Sequence, residues 1–183
     1  KTKSEICSSD NPKKTMKTAY IALGANLGNP KESLRKAAEK IKDLDGVASV
    51  EASGLYSTAP IDSSGPDYLN AVLKAEISDE ISAESLLDRL LDIENQLGRV
   101  RPAGIHNAPR VIDCDLLLCG KEESSTPKLV LPHPRMTERA FVLVPLVEVD
   151  SSVEIPGKGK AVEFLDSVKD QSIIKLFEAR DWL

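Results

Sequence analysis

The segment from residue 69 to residue 77 alternates between apolar and mostly polar side chains, and this pattern constrains the fold more than any other feature of the chain. The odd positions are all apolar: Leu69, Ala71, Leu73, Ala75 and Ile77. The even positions carry Asn, Val, Lys and Glu. Because successive side chains of a β-strand point to opposite faces, the pattern predicts a strand with one face in the core. A single strand is not stable alone, so the chain must build a sheet around it.

Helices are predicted on both sides of this strand. Asn29 is suited to cap the first helix, with Pro30 at the first helical position and Glu32 completing a capping box. Gly46 ends that segment. Ser82 is suited to cap the second helix, whose apolar residues recur at helical spacing: Leu86, Leu90, Ile93 and Leu97.

The remaining segments complete an α+β pattern. Further strands are predicted at residues 18–23, 47–56, 111–119 and 129–131. Further helices are predicted at 139–149 and 161–167, with a weaker one towards the C-terminus. Strands and helices interleave through short connections, which predicts a largely antiparallel sheet with helices packed on it.

The chain of 183 residues is long enough for one domain with a substantial core. Residues 1–17 are polar and show no periodicity, so we interpret them as a disordered leader, a linker from a longer polypeptide or an added expression sequence. The single domain is expected to span residues 18–183.

Charge and hydropathy exclude several classes of partner. The formal net charge is -5, which argues against binding to nucleic acid or to an anionic membrane. The sequence contains neither an apolar stretch near the roughly 20 residues that span a bilayer nor the apolar run of a secretory signal. Any anionic ligand must therefore be held by a local group of positive charges.

The cysteines and histidines do not form a metal-binding pattern. Cys7, Cys114 and Cys119 make no C-x-x-C pair, and His106 and His133 are far apart in the sequence. A zinc site is therefore not expected. Reduced thiols in a cytoplasmic protein are the simplest interpretation.

The strongest chemical signal is an acidic pair on the predicted strand 111–119. Asp113 and Asp115 are expected on one strand face, and Ile112, Cys114, Leu116 and Leu118 on the other. Two carboxylates roughly 7 Å apart along a strand repel each other, and a cation between them removes the conflict. Oxygen ligands suit Mg²⁺, which usually keeps substrate phosphates in its other positions. A solvated strand face with two ordinary acids remains the alternative at this point.

Arginines before this strand favour phosphate chemistry. Arg99, Arg101 and Arg110 bracket a loop rich in proline and glycine that leads into the acidic pair. One guanidinium group can bind two phosphate oxygens at once, and Mg²⁺ with arginine is a recurrent combination in phosphoryl transfer. The segment from Gly24 to Gly28 is neither a P-loop nor a dinucleotide fingerprint. Surface arginines that offset local acids remain the alternative.

The sequence as a whole resembles the 6-hydroxymethyl-7,8-dihydropterin pyrophosphokinase family. The resemblance covers about residue 18 to the C-terminus, with the motifs in the family's order. They are YIALGANLG at 20–28, YSTAP at 56–60, PDYLNA at 66–71, IENQLGR at 93–99, the stretch 109–118, LPHPRM at 131–136 and RAFVL at 139–143.

The resemblance implies a ferredoxin-like α/β sandwich and the transfer of pyrophosphate from ATP to the hydroxymethyl group of the reduced pterin. AMP is released, as a step towards folate. Asp113 and Asp115 match carboxylates that hold two Mg²⁺ ions, and Arg99 and Arg110 match arginines that assist the chemistry. Positions where the family meets ATP are Glu94, Arg99, Arg101, Arg110, Leu116, Lys128, Leu129, Val130, His133 and Arg139.

The same resemblance implies where the pterin is bound. The matching positions are Thr58, Ala59, Ile61, Tyr68, Asn70 and Phe141. The chemistry of these residues agrees, because a flat aminopyrimidinone ring suits the aromatic face of Phe141 or Tyr68 and the paired donor and acceptor of Asn70. Taken without the resemblance, both aromatic residues would be read as ordinary core residues.

The chain departs from the family pattern at two places. The family often has Arg-Trp shortly before the Pro-Arg of its catalytic loop, whereas this chain has His106-Asn107-Ala108 before Pro109. Ala59 stands where a proline is frequent. We expect the loop 99–109 to be ordered by nucleotide mainly through ionic contacts.

The sequence does not exclude two other functions. One is a non-catalytic ferredoxin-like module that senses a nucleotide, although such a module needs no second metal ligand. The other is one module of a multifunctional folate enzyme, with the polar leader as a linker.

Overall fold

The computed structural model describes residues 15–60, 65–98 and 111–183. The predictions made for residues 1–14, for Ile61 and for the arginine loop 99–110 lie outside the described residues.

The chain alternates strands and helices in the predicted order. The first half comprises β1 (Met16–Ala25), α1 (Pro30–Lys42), β2 (Val47–Ala52), β3 (Leu55–Thr58), β4 (Tyr68–Ser78), α2 (Ala83–Gln96) and β5 (Asp113–Cys119). The second half comprises β6 (Ser124–Ser125), β7 (Val130–Leu131), α3 (Ala140–Val149), β8 (Glu154–Ile155), β9 (Gly159–Lys160) and β10 (Ile174–Phe177). Short 3₁₀ helices lie at Met136–Glu138, Ala161–Val168 and Ala179–Asp181.

The main sheet is antiparallel and has the strand order β10-β3-β4-β1-β5. β2 also pairs with β4, along residues 73–77, while β3 pairs with residues 68–70. β2 and β3 therefore act as two halves of one strand, and the first seven elements form the ferredoxin-like β-α-β-β-α-β arrangement. This confirms the predicted fold class. No helix in the described ranges is long and apolar enough to cross a membrane.

The sheet is covered on both faces, which gives the domain two cores. On one face, Ile21 and Leu73 pack with Leu34 of α1 and Leu90 of α2. On the other face, a second cluster brings β1, β4 and β5 against α3. Val72 belongs to this second cluster and is fully buried. This explains why an apolar residue interrupts the polar positions of the alternation.

The helix caps are formed as predicted, with one difference. The Asn29 side chain accepts a hydrogen bond from the backbone N–H of Glu32 (3.3 Å), and Ser82 Oγ accepts one from Ser85 N–H (3.0 Å). The carboxylate of Glu32 binds Arg35 (Nε–Oε1 3.0 Å) in place of the return bond to the cap. The capping box is therefore realised in one direction.

The predicted strand 47–56 is wrong in its continuity, because it breaks at Ser53 and Gly54. Ser53 Oγ accepts a hydrogen bond from Val72 N–H (2.9 Å), so a side chain occupies a position in the backbone ladder. A Cβ on Gly54 would lie 2.4 Å from the carbonyl oxygen of Phe177. The break therefore lets the C-terminal segment cross close to the sheet.

Two further predictions need correction. The C-terminal segment contains the edge strand β10, paired with β3, rather than mainly helix, and only a three-residue 3₁₀ helix follows it. The register between β1 and β5 shifts between Tyr20 and Ile21. Leu118 consequently packs in the second cluster, away from Cys114 and Leu116, with which it was expected to share a face. In addition, β1 starts at Met16, two residues before the predicted strand.

Candidate functional site

A cavity of about 360 Å³ opens on the α3 side of the sheet. Its lining residues come from β1, from the ends of β3 and β4, from β5 and from the start of α3. They are Ala22, Leu23, Gly24, Thr58, Ala59, Pro60, Tyr68, Asn70, Asp113, Asp115, Arg139, Phe141 and Val142. The structure thus brings together the predicted pterin-binding residues in the described ranges, the acidic pair and one predicted ATP-binding residue.

Strand pairing explains why these residues meet. Gly24 is paired with Asn70 of β4 on one side and with Asp113 of β5 on the other. Ala22 is paired with Asp115. A Cβ on Gly24 would lie 3.2 Å from Asn70 Oδ1, so the missing side chain leaves room beside the amide. Small residues of β1 thus form the floor of the cavity.

The acidic pair lies on the cavity side of β5, as predicted. Asp113 is half-buried and Asp115 is exposed, whereas Cys114 between them is buried on the opposite face. Burial raises the pKa of the Cys114 thiol, and the neighbouring carboxylates add to this effect. Cys114 is therefore protonated and packs as an apolar residue.

Glu94 fixes the backbone between the two aspartates. Its side chain is only 2% exposed, and its Oε2 accepts a hydrogen bond from Cys114 N–H at 2.7 Å. A buried carboxylate that accepts a backbone N–H restrains that peptide strongly. The ATP-binding role predicted for Glu94 stays a prediction, whereas the structure shows that its buried carboxylate positions the acidic strand.

The donor set around the acidic pair suits Mg²⁺. In the part of the chain that the structure describes, no three or more His, Cys, Asp and Glu side chains cluster as a metal site. Two carboxylates on an open cavity leave most coordination positions to phosphate oxygens and water, which is the usual arrangement for protein-bound Mg²⁺.

The side of the cavity that carries the predicted pterin-binding residues is built from a buried polar pair and a ring. Asn70 Nδ2 donates to Thr58 Oγ1 at 2.8 Å, and these residues are only 6% and 9% exposed. Because the Thr58 hydroxyl accepts this bond, its own proton can be donated to a ligand. The Arg139 guanidinium lies 5.4 Å from the centroid of the Phe141 ring, which limits the positions of both side chains.

His133 is held in one orientation. Its backbone N–H donates to the carbonyl of Leu117 (3.0 Å), and its Nδ1 accepts from Arg135 N–H (3.2 Å). Burial lowers the pKa of His133, the charges of Arg139 and Arg135 lower it further, and Asp115 opposes them. The neutral ring therefore carries its proton on Nε2, where it is a hydrogen-bond donor.

Several predicted ATP-binding residues do not line this cavity. Leu116 and Leu129 are buried in the first core, and Val130 is 43% exposed. Lys128 Nζ pairs with Asp88 Oδ1 of α2 at 2.9 Å. Arg99, Arg101, Arg110 and Ile61 lie outside the described residues, so their predicted roles stay predictions.

The sequence analysis missed several residues that line the cavity. These are Ala22, Leu23, Gly24, Pro60 and Val142. The sequence contains a signal for two of these cavity residues. Ala22 and Gly24 are small residues two positions apart, on the same strand face as Tyr20.

The fold and the cavity together define a ferredoxin-like domain with a site for a small molecule. The sequence model of the 7,8-dihydro-6-hydroxymethylpterin-pyrophosphokinase (HPPK) family matches residues 20–151, and the chain belongs to this family. It transfers pyrophosphate from ATP to the hydroxymethyl group of 6-hydroxymethyl-7,8-dihydropterin in folate synthesis.

Curated relatives support this assignment. The chain is 41% identical over 162 residues to the 2-amino-4-hydroxy-6-hydroxymethyldihydropteridine pyrophosphokinase of Haemophilus influenzae, covering 88% of this chain and 99% of the relative. It is 39% identical to the Bacillus subtilis protein of the same name, over 74% of this chain and 80% of the relative. It is 35% identical to a folate synthesis bifunctional protein of Arabidopsis thaliana, over 77% of this chain and 28% of that protein.

A crystal structure of Plasmodium falciparum HPPK-DHPS shares the fold. The TM-score is 0.66 at 13% sequence identity, over 87% of this chain and 47% of that chain. The Arabidopsis relative shows that homologues of this chain include a module of a bifunctional folate enzyme.

Proposed function

We propose that the cavity beside Gly24 is where this chain joins the pterin to the pyrophosphate of ATP. The observation that carries the proposal is the register across three strands, Asn70–Gly24–Asp113. Neighbouring strands lie about 4.8 Å apart, so the pterin-binding amide and the acidic pair are separated by roughly two strand spacings. A pterin bound at Asn70 therefore extends its hydroxymethyl group towards the acidic pair.

The pterin ring is held between the polar pair and the aromatic residue. Asn70 and Thr58 supply hydrogen bonds to the edge of the ring, and Phe141 supplies a face for stacking. Tyr68 and Ala59 close the cavity on the side of β3 and β4, and Ile61 is proposed to extend this surface.

Asp113 and Asp115 are proposed to hold two Mg²⁺ ions against the triphosphate. Mg²⁺ held by these two carboxylates would supply neutralisation of the phosphate charge. The protein contributes Glu94, which keeps the peptide between the two carboxylates in place. We propose no protein side chain as general base, because positioning and charge neutralisation supply most of the rate in phosphoryl transfer.

The nucleotide is proposed to lie along the segment from Lys128 to His133 and over the start of α3. His133 offers an Nε2 proton and interacts electrostatically with Asp115. Arg139 offers a guanidinium in the cavity that Asp115 also lines. Arg99, Arg101 and Arg110 are proposed to complete the positive environment of the phosphates, with Arg99 and Arg110 acting on the transferred group.

The buried free thiols Cys114 and Cys119 suit a reducing compartment, so we propose a cytoplasmic enzyme. Burial raises the pKa of Cys119 to about 11. This thiol is therefore unreactive in the native protein.

The direct test is the formation of AMP from ATP, measured with and without the pterin and with and without Mg²⁺. We expect AMP only when ATP, pterin and Mg²⁺ are all present. The variant Asn70→Ala should raise the KM for pterin by about tenfold or more, since it removes a buried amide from the ring-binding edge. AMP formation independent of pterin, or an unchanged pterin KM in this variant, would contradict the site assignment.

A further inference from the structure

Two carboxylates at the C-terminal end of α3 have matched surroundings, yet they tie the helix to different parts of the sheet. Glu148 binds the hydroxyl of Tyr56 (2.7 Å) and Lys175 (2.7 Å). Asp150 binds the hydroxyl of Tyr20 (2.5 Å) and lies 3.4 Å from Lys74 Nζ. Each carboxylate thus has one tyrosine and one lysine.

The difference lies in the backbone N–H that each carboxylate accepts. Asp150 accepts from Ser152, two residues further along the chain (3.2 Å). Glu148 Oε1 accepts from Gly54 N–H at 2.9 Å, 94 residues away in sequence. Glu148 therefore ties α3 to the break between β2 and β3, whereas Asp150 organises its own turn and contacts the middle of β1.

The break that Glu148 binds is the start of one cavity wall. β3 begins directly after Gly54 and ends at Thr58, whose hydroxyl accepts from Asn70 in the cavity. Three residues of strand lie between Gly54 and Thr58. Because β3 is continuous between these two points, we expect a shift of the Gly54 peptide to displace Thr58.

The helix that carries Glu148 near its C-terminal end forms the other wall. Phe141 and Glu148 are seven residues apart, which places them on the same face of α3 about 10 Å apart along its axis. The helix is only ten residues long, the side chain of its N-cap residue Arg139 makes no capping hydrogen bond, and Pro145 interrupts it. Its first N–H, that of Ala140, donates to Gln171 Oε1 (2.8 Å), which lies outside the helix. Proline removes the backbone hydrogen bond to the residue four positions earlier, which is Phe141. The direction of α3 must therefore be set by tertiary contacts.

We propose that Glu148 is a positioning residue for the pterin: its carboxylate fixes the distance between the wall that carries Phe141 and the wall that carries Thr58 and Asn70. Glu148 does not line the cavity. The proposal rests on the assignment of this cavity as the pterin site, and it adds the residue that sets the width of the site.

The proposal is tested by Glu148→Ala with Asp150→Ala as the matched control. For each variant, the KM for pterin, the KM for ATP and kcat are measured through AMP formation, together with the melting temperature. Glu148→Ala should raise the KM for pterin about tenfold and change the KM for ATP by less than about twofold. Asp150→Ala should lower the melting temperature comparably and leave both KM values within about twofold of wild type.

Tyr56→Phe provides a second, milder variant should Glu148→Ala fail to fold. It removes one donor to Glu148 and keeps the other two, so the KM for pterin should rise about threefold with the KM for ATP unchanged. Three results would overturn the proposal. They are equal rises in the KM for pterin and the KM for ATP, an unchanged KM for pterin in Tyr56→Phe, and the same rise of the KM for pterin in Asp150→Ala as in Glu148→Ala. Failure of the proposed site is distinguished by Asn70→Ala, which would then leave the KM for pterin unchanged.

Discussion

The two ends of α3 lie beside carboxylates of opposite character. At its N-terminal end, Asp115 of β5 is exposed to an open cavity. At its C-terminal end, the side chain of Asp150 is 15% exposed and binds a tyrosine, a lysine and a backbone N–H. The difference teaches that the residue type does not decide the role of an acid in this fold. An acid supplied with fixed protein donors stabilises the domain, and an acid left facing a cavity remains available for a ligand.

The largest effect that separates the two ends is expected from amide substitutions. Asp115→Asn or Asp113→Asn should reduce turnover by about 10³-fold or more, because each removes a negative ligand while preserving shape. The melting temperature should change little. AMP formation and a thermal melt of each variant provide the measurement.

Asp150→Asn is the control at the other end of the helix. It should leave turnover within about twofold and lower stability by about 1 kcal/mol, since a charged acceptor of Tyr20 becomes neutral. If the cavity substitutions retained turnover within about tenfold of wild type, the metal assignment would be wrong.

A smaller effect is expected from filling the cavity floor. Gly24→Ala places a methyl group 3.2 Å from Asn70 Oδ1, a contact that forces the amide to shift by a few tenths of an ångström. We expect the KM for pterin to rise about threefold to tenfold while the affinity for an ATP analogue stays the same. Titration of the variant with each ligand would measure this. An equal loss of affinity for the nucleotide would show that Gly24 serves the whole site rather than its pterin side.

The anchoring end of α3 should dominate the acid dependence of stability. Burial raises the pKa of Glu148, but bonds from Lys175, Tyr56 and the Gly54 N–H outweigh it and hold the pKa below its ordinary value. Burial also raises the pKa of Asp150, but hydrogen bonds from the Tyr20 hydroxyl and from Ser152 outweigh this effect. The pKa of Asp150 is therefore lowered as well. As the pH falls, the carboxylates of Glu148 and Asp150 therefore become protonated at a higher pH in the unfolded chain than in the folded chain.

The stabilisation from both groups is thus present above the ordinary carboxyl pKa of about 4 and is lost as the pH falls through their folded values. Urea midpoints between pH 3 and pH 7 should fall less steeply towards acid in Glu148→Ala and Asp150→Ala than in wild type. An unchanged slope in both variants would show that other acids control the transition.

The smallest effect is expected from removing residues 1–14. This polar segment carries Lys1, Lys3, Lys13 and Lys14. If these charges neutralised the acidic pair, the contrast between the two ends of α3 would disappear. We expect the KM for ATP and the melting temperature to stay unchanged, because the segment has no apolar periodicity for packing. The truncation keeps Thr15, whose carbonyl accepts from Asp79 N–H (3.1 Å).

Periodicity alone predicted most of the fold. The alternation at 69–77 and the stripe on α2 depend on burial against one neighbour, so they are visible in sequence. The break at Ser53 was missed because it depends on a contact with Phe177, more than 100 residues away. β10 was missed because an edge strand with Ile174 and Leu176 exposed has no alternation to detect.

The site was predictable where its chemistry is local. Asp113 and Asp115 stand out because their spacing fits a strand face, whereas the pterin residues were identified through the resemblance. Glu148 left no such signal, since a glutamate near the end of a helix is common and its role depends on the peptide that reaches it.

The Trp182 side chain gives the protein a built-in optical probe. The sequence contains 1 tryptophan, which is 2% exposed and donates from Nε1 to the carbonyl oxygen of Ser53 at 2.9 Å. Intrinsic fluorescence excited through tryptophan therefore comes from one spot, the same break to which Glu148 is bound. A change in emission reports whether the C-terminal segment is docked there, and it does so without any label. Detachment of this segment ahead of global unfolding would appear as a red shift in emission that precedes the loss of helical circular dichroism.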